Sequence, residues 1–141
     1  PHRAPIPGRN RRLASSNIGA RWGVPVHVAG QLAGTEGYCE AIRSGLHAAI
    51  AVAAELSGAN PPVLPVDTAF GALVAYATDP QTTGYQPMHV NFGIMRPFEQ
   101  RIRNKRERYA AYAKRGAAAL DDYCAQLRGI GLLPSDPQGA C

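Results

Sequence analysis

The stretch 29–45, AGQLAGTEGYCEAIRSG, combines residue types and spacings that can do chemistry. A short apolar strand is expected over 24–29, followed by a turn containing Gly30, Gly34 and Gly37, and then by a long alanine-rich helix. Glycines at such a junction let backbone N–H groups approach a ligand that a Cβ would hold away. The start of the helix adds unpaired donors and a partial positive charge. The pattern fits a seat for an anion or an electron-rich ring edge, and equally a turn that only packs a helix on a sheet.

Four blocks of the sequence resemble one known family. The block AGQLAGTEGYCEAIRSGLHAA resembles the C-terminal flavin motif of the glucose-inhibited division protein A superfamily, which comprises tRNA-modifying flavoproteins. QPMHVNFGI at 86–94 is similar to a block of one branch, the folate- and FAD-dependent tRNA (uracil-5-)-methyltransferases. DTAFGAL at 67–73 and the basic run 101–109 resemble two further segments of that branch. The blocks follow the family order across roughly residues 26–128.

The resemblance implies an activity. This branch transfers a one-carbon unit from methylenetetrahydrofolate to the 5-position of a uracil in the T-loop of tRNA. Reduced FAD supplies electrons and carries the carbon through flavin N5, NADH or NADPH regenerates it, and the protein is cytoplasmic. Two alternatives stay open: the sister branch, which modifies wobble uridines, and a non-enzymatic RNA-binding module or remnant. QPMHVNFG argues against the sister branch.

The resemblance also implies site residues, with every role carried over from the family. The cofactor-binding residues are expected to be Gly30, Gln31, Gly34, Thr35, Glu36, Gly37 and Tyr38. The pocket for folate or uridine is expected to involve Gln86, Met88, Asn91 and Phe92. The tRNA contacts are expected to be Arg101, Lys105 and Arg108. The catalytic cysteines are expected upstream of this chain, so the chain alone is predicted to be inactive.

Charge is concentrated in two places. The net charge is +5 and the pI is about 9.5. Residues 1–23 carry five arginines and no acid, and 96–115 carry eight lysines and arginines against two glutamates. The second run suits a phosphate backbone, because each cation that contacts a phosphate releases counterions. A solvated helix face with intrahelical ion pairs is the alternative.

Helical spacing assigns faces within the basic run. Arg101, Lys105 and Arg108 lie close to one face and are expected to point towards RNA. Ile102 and Tyr109 are expected to mark the protein side, with Arg106 turned partly inward.

The chain is expected to form an α/β, mostly helical fragment, the C-terminal part of an FAD-binding Rossmann-like domain with a short strand, a glycine turn and long helices. The fingerprint GxGxxG is not found in the sequence, so the N-terminal flavin-binding part of a parent polypeptide is expected as a partner. Residues 1–23 are interpreted as an irregular basic arm that is not a native domain, 24–128 as the C-terminal segment of the FAD-binding domain, and 129–141 as a disordered tail.

Three helices are predicted. The first covers 36–57, with Tyr38, Ile42, Leu46, Ala49, Ala53 and Leu56 at helical spacing. The second runs from an N-cap at Asp67 or Thr68 to Thr78. Residues 81–96 are expected to be irregular. The third helix is expected to run from about Pro97 to Leu127. The sequence contains no predicted membrane span.

Cysteines and histidines suggest structural roles. Cys39, Cys124 and Cys141 are far apart and odd in number, so they favour neither a zinc site nor a disulfide framework. Cys39 is expected to be a buried small hydrophobe, and Glu40 to be solvated or capping. His89 stands where the branch has asparagine. It could alter hydrogen bonding near a substrate, or show that the position is tolerant.

Overall fold

In the part of the chain that the structure describes, three α-helices and one 3₁₀ turn make up the regular structure. The computed structural model describes residues 27–79, 81–83 and 85–134. The turn covers Gly30–Ala33, α1 covers Tyr38–Ser57, α2 covers Ala69–Thr78 and α3 covers Lys105–Gly129. The prediction of a mostly helical chain is confirmed. Within the described residues the one β-type pairing is a parallel bridge between Thr35 and Met88.

The predicted strand at 24–29 falls partly outside the described residues. Residues 24–26 lie there, as does the arm at 1–23, and 27–29 have no regular secondary structure. The Rossmann-like sheet therefore stays a prediction.

The chain divides into two compact units. Among the described residues, the first unit takes 27–53 and 74–89, and the second takes 54–73 and 90–134. The first unit contains the glycine turn and most of α1. The second contains all of α3. Each is described separately below.

Helix α1 begins two residues later than predicted and ends where predicted. Its expected apolar face is wrong, because Tyr38, Ile42 and Leu46 lie on the exposed side. Hydrogen-bonded Ser44 and the carboxylate of Glu40 are buried instead. Burial of polar side chains is tolerated where they find partners, so periodicity of apolar residues alone misidentified the inner face.

Helix α2 confirms the predicted second helix. The Thr68 hydroxyl accepts a hydrogen bond from the Gly71 N–H at 3.0 Å, as an N-cap does, and donates one to the Pro65 carbonyl at 2.7 Å. The position of Gly71 requires glycine, because a Cβ there would collide with the same Pro65 carbonyl. The cap and the close approach together fix where the chain turns into α2.

Helix α3 begins at Lys105 and not near Pro97, so the predicted start is wrong. The Asn104 side chain accepts hydrogen bonds from the N–H groups of Arg106 and Glu107, at 2.9 and 3.3 Å. A side-chain acceptor of this kind ends the preceding irregular segment and begins the helix. The helix extends to Gly129, slightly beyond the predicted end at Leu127.

The cysteines differ from expectation. Cys39 is an exposed free thiol, because it stands in the first turn of α1 on the side away from the core. Cys124 is 2% exposed and disulfide-bonded, so the expectation of unpaired cysteines is wrong for this residue.

None of the helices in the described part of the chain is long and apolar enough to cross a membrane.

Candidate functional site

The glycine turn places three glycines in backbone conformations that other residues rarely adopt. Ala29 is extended, and Gly30 then has φ +68° at the start of the 3₁₀ turn. Gly34 closes that turn with φ +91°, and Gly37 has φ +99° immediately before α1. Left-handed backbone costs an L-residue about 1–2 kcal/mol, so the glycines are required by the path of the chain.

The hydroxyl groups of Ser44 and Thr35 support the turn on its buried side. The Gly30 N–H donates to the Ser44 Oγ at 2.7 Å, and that hydroxyl donates to the Ala41 carbonyl at 2.8 Å. The Thr35 Oγ1 lies 3.5 Å from the same oxygen, and the Thr35 residue is 0% exposed. Thr35, predicted to bind the cofactor, therefore directs its side chain into the protein, where it ties the turn to α1.

Tyr85 adds a second support that sequence reasoning missed. Its hydroxyl donates to the Gly34 carbonyl at 2.7 Å, and the two residues are 51 positions apart. The ring lies in a small apolar cluster with Ala33, Ala77 and Met88. Burial raises the pKa of Tyr85 to about 12, with a smaller contribution from Tyr76. The hydroxyl therefore stays protonated and donating throughout the physiological range.

Residues 85–89 run beside the turn. The Glu36 N–H donates to the Met88 carbonyl at 3.1 Å, next to the bridge between Thr35 and Met88. Met88, predicted to line the substrate pocket, is thereby brought to the predicted cofactor residues. Gln86 is exposed two residues earlier.

Gly37 lies in a crowded place. A Cβ there would lie 2.6 Å from the His89 Nδ1 and against the Glu40 carboxylate. His89 Nδ1 and Glu40 Oε1 are 3.9 Å apart, with side-chain exposures of 65% and 9%. Glu40 is thus buried beside the turn, contrary to the expectation of a solvated residue. The Glu40 carboxylate and the His89 ring occupy the space that a side chain at Gly37 would need.

Several backbone donors of the turn are already used. The N–H groups of Gly34 and Thr35 bond within the turn, those of Gly30 and Glu36 bond as described above, and the Ala41 N–H bonds the Gly37 carbonyl. The N–H groups that open a helix have no carbonyl partner within it. The first N–H groups of α1, around Tyr38, are therefore donors that carbonyls of the helix itself do not use.

Large apolar side chains surround that helix start on its outer side. Tyr38 is 92% exposed, Leu32 is 80% exposed and Ile42 is 75% exposed. Beside them the Gln31 amide donates to the Glu36 carboxylate at 3.3 Å on the surface. Rings and aliphatic chains beside the start of a helix form a surface that a flat, partly polar ring system can contact.

His47, midway along α1, is partly buried. Burial lowers its pKa from the ordinary value of 6.5, and the neighbouring Arg43 lowers it further. The imidazole is therefore kept neutral near pH 7. No group of three or more His, Cys, Asp or Glu side chains within the described residues is arranged to hold a metal ion.

The second unit contains the other two predicted substrate residues. The exposed Asn91 accepts a hydrogen bond from the Gly93 N–H at 2.9 Å through its side chain, which makes a tight turn. Phe92 stacks on Tyr109 of α3, with 4.3 Å between ring centroids. The four substrate candidates are thus divided between the two units.

The predicted tRNA-contacting residues differ from one another. Arg101 is exposed but precedes α3, so the helical-face argument fails for it. Lys105 is exposed in the first turn of α3. The Arg108 guanidinium donates to the Ile102 carbonyl at 3.2 Å and is only partly exposed. Arg106, expected to turn partly inward, is exposed.

Comparison with known proteins gives the family. The profile of the family described as Glucose inhibited division protein A matches residues 16–60. A methylenetetrahydrofolate–tRNA-(uracil-5-)-methyltransferase, TrmFO, of Pelotomaculum thermopropionicum is 46% identical over 95 residues, which are 67% of this chain and 22% of the relative. The chain belongs to the glucose inhibited division protein A family, in its TrmFO branch. TrmFO of Bacillus pumilus is 46% identical over 92 residues, which are 65% of this chain and 21% of the relative, and that of Lactiplantibacillus plantarum is 44% identical over 95 residues, with the same shares as the first.

Two facts qualify the family match. The chain spans about a fifth of the length of these TrmFO relatives, 22% of the first of them. The profile begins at residue 16, inside the segment 1–23 that was interpreted as a basic arm and not as a native domain. The family resemblance therefore starts earlier than the sequence blocks indicated.

Proposed function

We propose that this chain is the C-terminal part of a flavoprotein that methylates the 5-position of a T-loop uridine in tRNA, with methylenetetrahydrofolate as carbon donor. The observation that carries the proposal is the left-handed Gly37 directly before α1, inside the stretch matched by the family profile. The names of the TrmFO relatives supply the reaction and its substrates. In this proposal FAD, tRNA and NADH or NADPH are bound by a longer cytoplasmic protein.

The fit of FAD rests on the first unit. The left-handed backbone of Gly37 turns the chain into α1, whose first N–H groups have no carbonyl partner within the helix. These donors and the positive end of the helix dipole favour negative charge on a bound ring. Tyr38 offers an exposed aromatic face beside them. When bound, reduced FAD supplies electrons and one-carbon chemistry that side chains cannot provide.

The other cofactor candidates take narrower roles in the proposal. Gly30 and Gly34 shape the turn, and Thr35 holds it to α1 through Ser44. Gln31 and Glu36, hydrogen-bonded to each other at the surface, are the side chains available to hydroxyl or ring atoms of the cofactor. The protein's contribution is therefore mainly a rigid backbone edge.

An exposed apolar face supports the idea of a larger polypeptide. Tyr38, Ile42 and Leu46 are four residues apart on α1 and therefore share a face, and each is at least half exposed. Leu32 continues this apolar surface in sequence before the helix. Exposed patches of large apolar side chains are typical of surfaces that another structural element covers. We assign that role to the N-terminal flavin-binding part.

Substrate and tRNA roles follow from chemistry and position. Met88 and Gln86 adjoin the turn, where a pterin or uracil would have to reach the flavin. Asn91 and Phe92 remain candidates for the same pocket by family resemblance. Arg101, Lys105 and Arg108 are assigned to tRNA phosphates, which attract cations independently of base sequence.

A chimera tests the proposal. The matched 95-residue segment of the Pelotomaculum TrmFO is replaced by the corresponding residues of this chain. The chimera should bind FAD and form 5-methyluridine in the T-loop of unmodified tRNA, when given methylenetetrahydrofolate and NADPH. Modification of the wobble uridine instead would favour the sister branch. A folded, flavin-free chimera would contradict the assignment of the glycine turn.

The chain alone provides the matched control. It should form no 5-methyluridine under the same conditions, because the proposal places the catalytic cysteines and half of the cofactor site outside it. Product above a no-protein background would contradict the placement of the catalytic cysteines and half of the cofactor site outside this chain. RNA binding by the chain without any flavin-dependent activity of the chimera would favour the non-enzymatic alternative.

A further inference from the structure

Four aromatic rings of the second unit form a continuous series of contacts. Phe98 contacts Tyr112 with centroids 4.8 Å apart, Tyr112 contacts Phe92 at 5.1 Å, and Phe92 contacts Tyr109 at 4.3 Å. The two contacts of Phe92 are near parallel, with interplanar angles of 23° and 24°. Tyr112 is 7% exposed, whereas Phe92 and Tyr109, at the other end of the series, are 39% and 37% exposed.

The inner end of the series is held by one arginine. The Arg115 guanidinium lies 4.7 Å from the Phe98 centroid and 5.2 Å from that of Tyr112. Its Nε is 3.2 Å from the Asp67 Oδ1, and its Nη2 donates to the Arg96 carbonyl at 2.7 Å. Arg115 is therefore a structural cation that fixes the inner rings and is not offered to a ligand.

The outer end is different. Lys105 Nζ lies 5.5 Å from the Tyr109 centroid, and the Arg108 guanidinium carbon lies 5.8 Å from it. Both cations belong to the first turns of α3, within a run of eight cations and two acids. Tyr109 and Phe92 are each more than one-third exposed beside these positive charges.

Packing explains the inner rings and leaves the outer pair unexplained. The buried Tyr112 and the anchored Arg115 already join α3 to the preceding segment. Phe92 and Tyr109 each keep more than one-third of their surface in water, which forgoes part of the stabilisation that full aromatic burial brings. Exposed rings among lysines and arginines are the composition with which proteins hold unstacked bases of single-stranded RNA: the ring stacks on the base, and the cations contact the adjoining phosphates.

We propose that Phe92 and Tyr109 form a stacking platform for one unpaired nucleobase of an RNA loop, with Lys105 and Arg108 contacting its flanking phosphates. The inference rests on the proposed function only in taking RNA as the substrate. It adds a stacked base beside the start of α3, where Lys105 and Arg108 were expected to contact phosphates alone. Stacking tolerates any base, so the platform selects unpaired nucleotides over duplex and does not read sequence.

The test uses the full chain and two RNA probes with equal numbers of phosphates. One is a short single-stranded oligouridylate, and the other is an abasic strand of the same length. The wild-type chain should bind oligouridylate more tightly. Tyr109→Leu should weaken oligouridylate binding by about tenfold, within the range for one stacked base, and leave abasic binding unchanged.

Two variants serve as matched controls. Tyr76→Leu removes a ring of similar exposure, 41%, from the first unit and should change neither affinity. Lys105→Gln should weaken both RNAs by the same factor, because it removes a phosphate contact. Circular dichroism and thermal unfolding of each variant report whether α3 remains intact.

A measurement on the wild-type chain avoids any folding defect. Irradiation with RNA carrying 5-iodouridine should cross-link the tryptic peptide 109–114, or the peptide that contains Phe92. Cross-links confined to other peptides would overturn the proposal, as would equal wild-type affinity for oligouridylate and the abasic strand. That second result would preserve phosphate binding, and so would separate failure of the platform from failure of the proposed function.

Discussion

The two units present their candidate sites in opposite ways. The first presents backbone, since its glycine turn is held by hydrogen bonds to the Ser44 hydroxyl and from the Tyr85 hydroxyl. The space that a Cβ at Gly37 would take is occupied by His89 and Glu40. The second presents side chains, since rings and cations project from α3 and the segment before it. A backbone site is sensitive to added atoms and insensitive to surface charge. A side-chain site should show the reverse.

The largest effect is expected at Gly37. Gly37→Ala combines left-handed strain with a clash against His89 and Glu40, so the free energy of unfolding should fall by about 2–4 kcal/mol. Gly58→Ala is the matched control, because Gly58 has φ +67° and open space around it. It should cost about 1 kcal/mol. Urea unfolding measures both, and equal costs would contradict the crowding at Gly37.

The second effect concerns the Tyr85 hydroxyl. Tyr85→Phe should lower the free energy of unfolding by about 1–3 kcal/mol, because it leaves the buried Gly34 carbonyl without its donor. Tyr76→Phe, at an exposed ring in contact with Tyr85, should change it by less than about 0.5 kcal/mol. In the chimera, Tyr85→Phe should also lower the flavin-to-protein absorbance ratio. Unchanged stability and flavin content would show that the turn does not depend on this bond.

The third effect belongs to the second unit. Replacing Arg101, Lys105 and Arg108 together by glutamine should weaken tRNA binding and flatten its salt dependence, by about one unit of log–log slope per lost contact. Flavin content in the chimera should not change. Lys114→Gln, at an exposed lysine farther along α3, provides the control for a general loss of charge. An unaltered salt slope in the triple variant would make this basic run an ordinary solvated face.

The smallest effect is a pH dependence in the first unit. The pKa of His47 is lowered in the folded state, so the unfolded chain takes up a proton first as the pH falls below 6.5. Wild-type stability should therefore decline as the pH falls from about 6.5, and the decline should be shallower in His47→Gln. Above pH 7.5 the variant should show no pH-dependent difference. Parallel stability curves from pH 5 to 7 would show that His47 does not contribute.

Local patterns predicted what local chemistry determines. Helices α1 and α2 follow from apolar periodicity, from the cap at Thr68 and from glycine and proline after Ser57. The start of α3 was predicted too early, because Pro97 permits a helix start but the Asn104 side chain produces one. Competing start signals of this kind cannot be ranked by propensity alone.

Long-range contacts explain what the sequence could not reveal. Near its start α1 buries polar side chains, because Ser44 finds partners in the turn, whereas farther along it buries the apolar Ile50 and Ala54. The hydrogen bond from Tyr85 to Gly34 spans 51 positions. The ion pair of Arg115 with Asp67 joins α3 to the residues just before α2. The glycine turn itself was located correctly, because left-handed backbone leaves a direct mark on residue type.

Formation of 5-methyluridine by the chimera decides whether this chain is part of a T-loop uridine methyltransferase. Nucleosides from unmodified tRNA are quantified by mass spectrometry after reaction with methylenetetrahydrofolate and NADPH, alongside the intact Pelotomaculum enzyme and a chimera carrying Gly37→Val. The proposed function predicts T-loop 5-methyluridine with the unmutated chimera, and loss of both flavin and product with the Gly37→Val chimera. A folded chimera that binds FAD and tRNA yet forms no 5-methyluridine would contradict it.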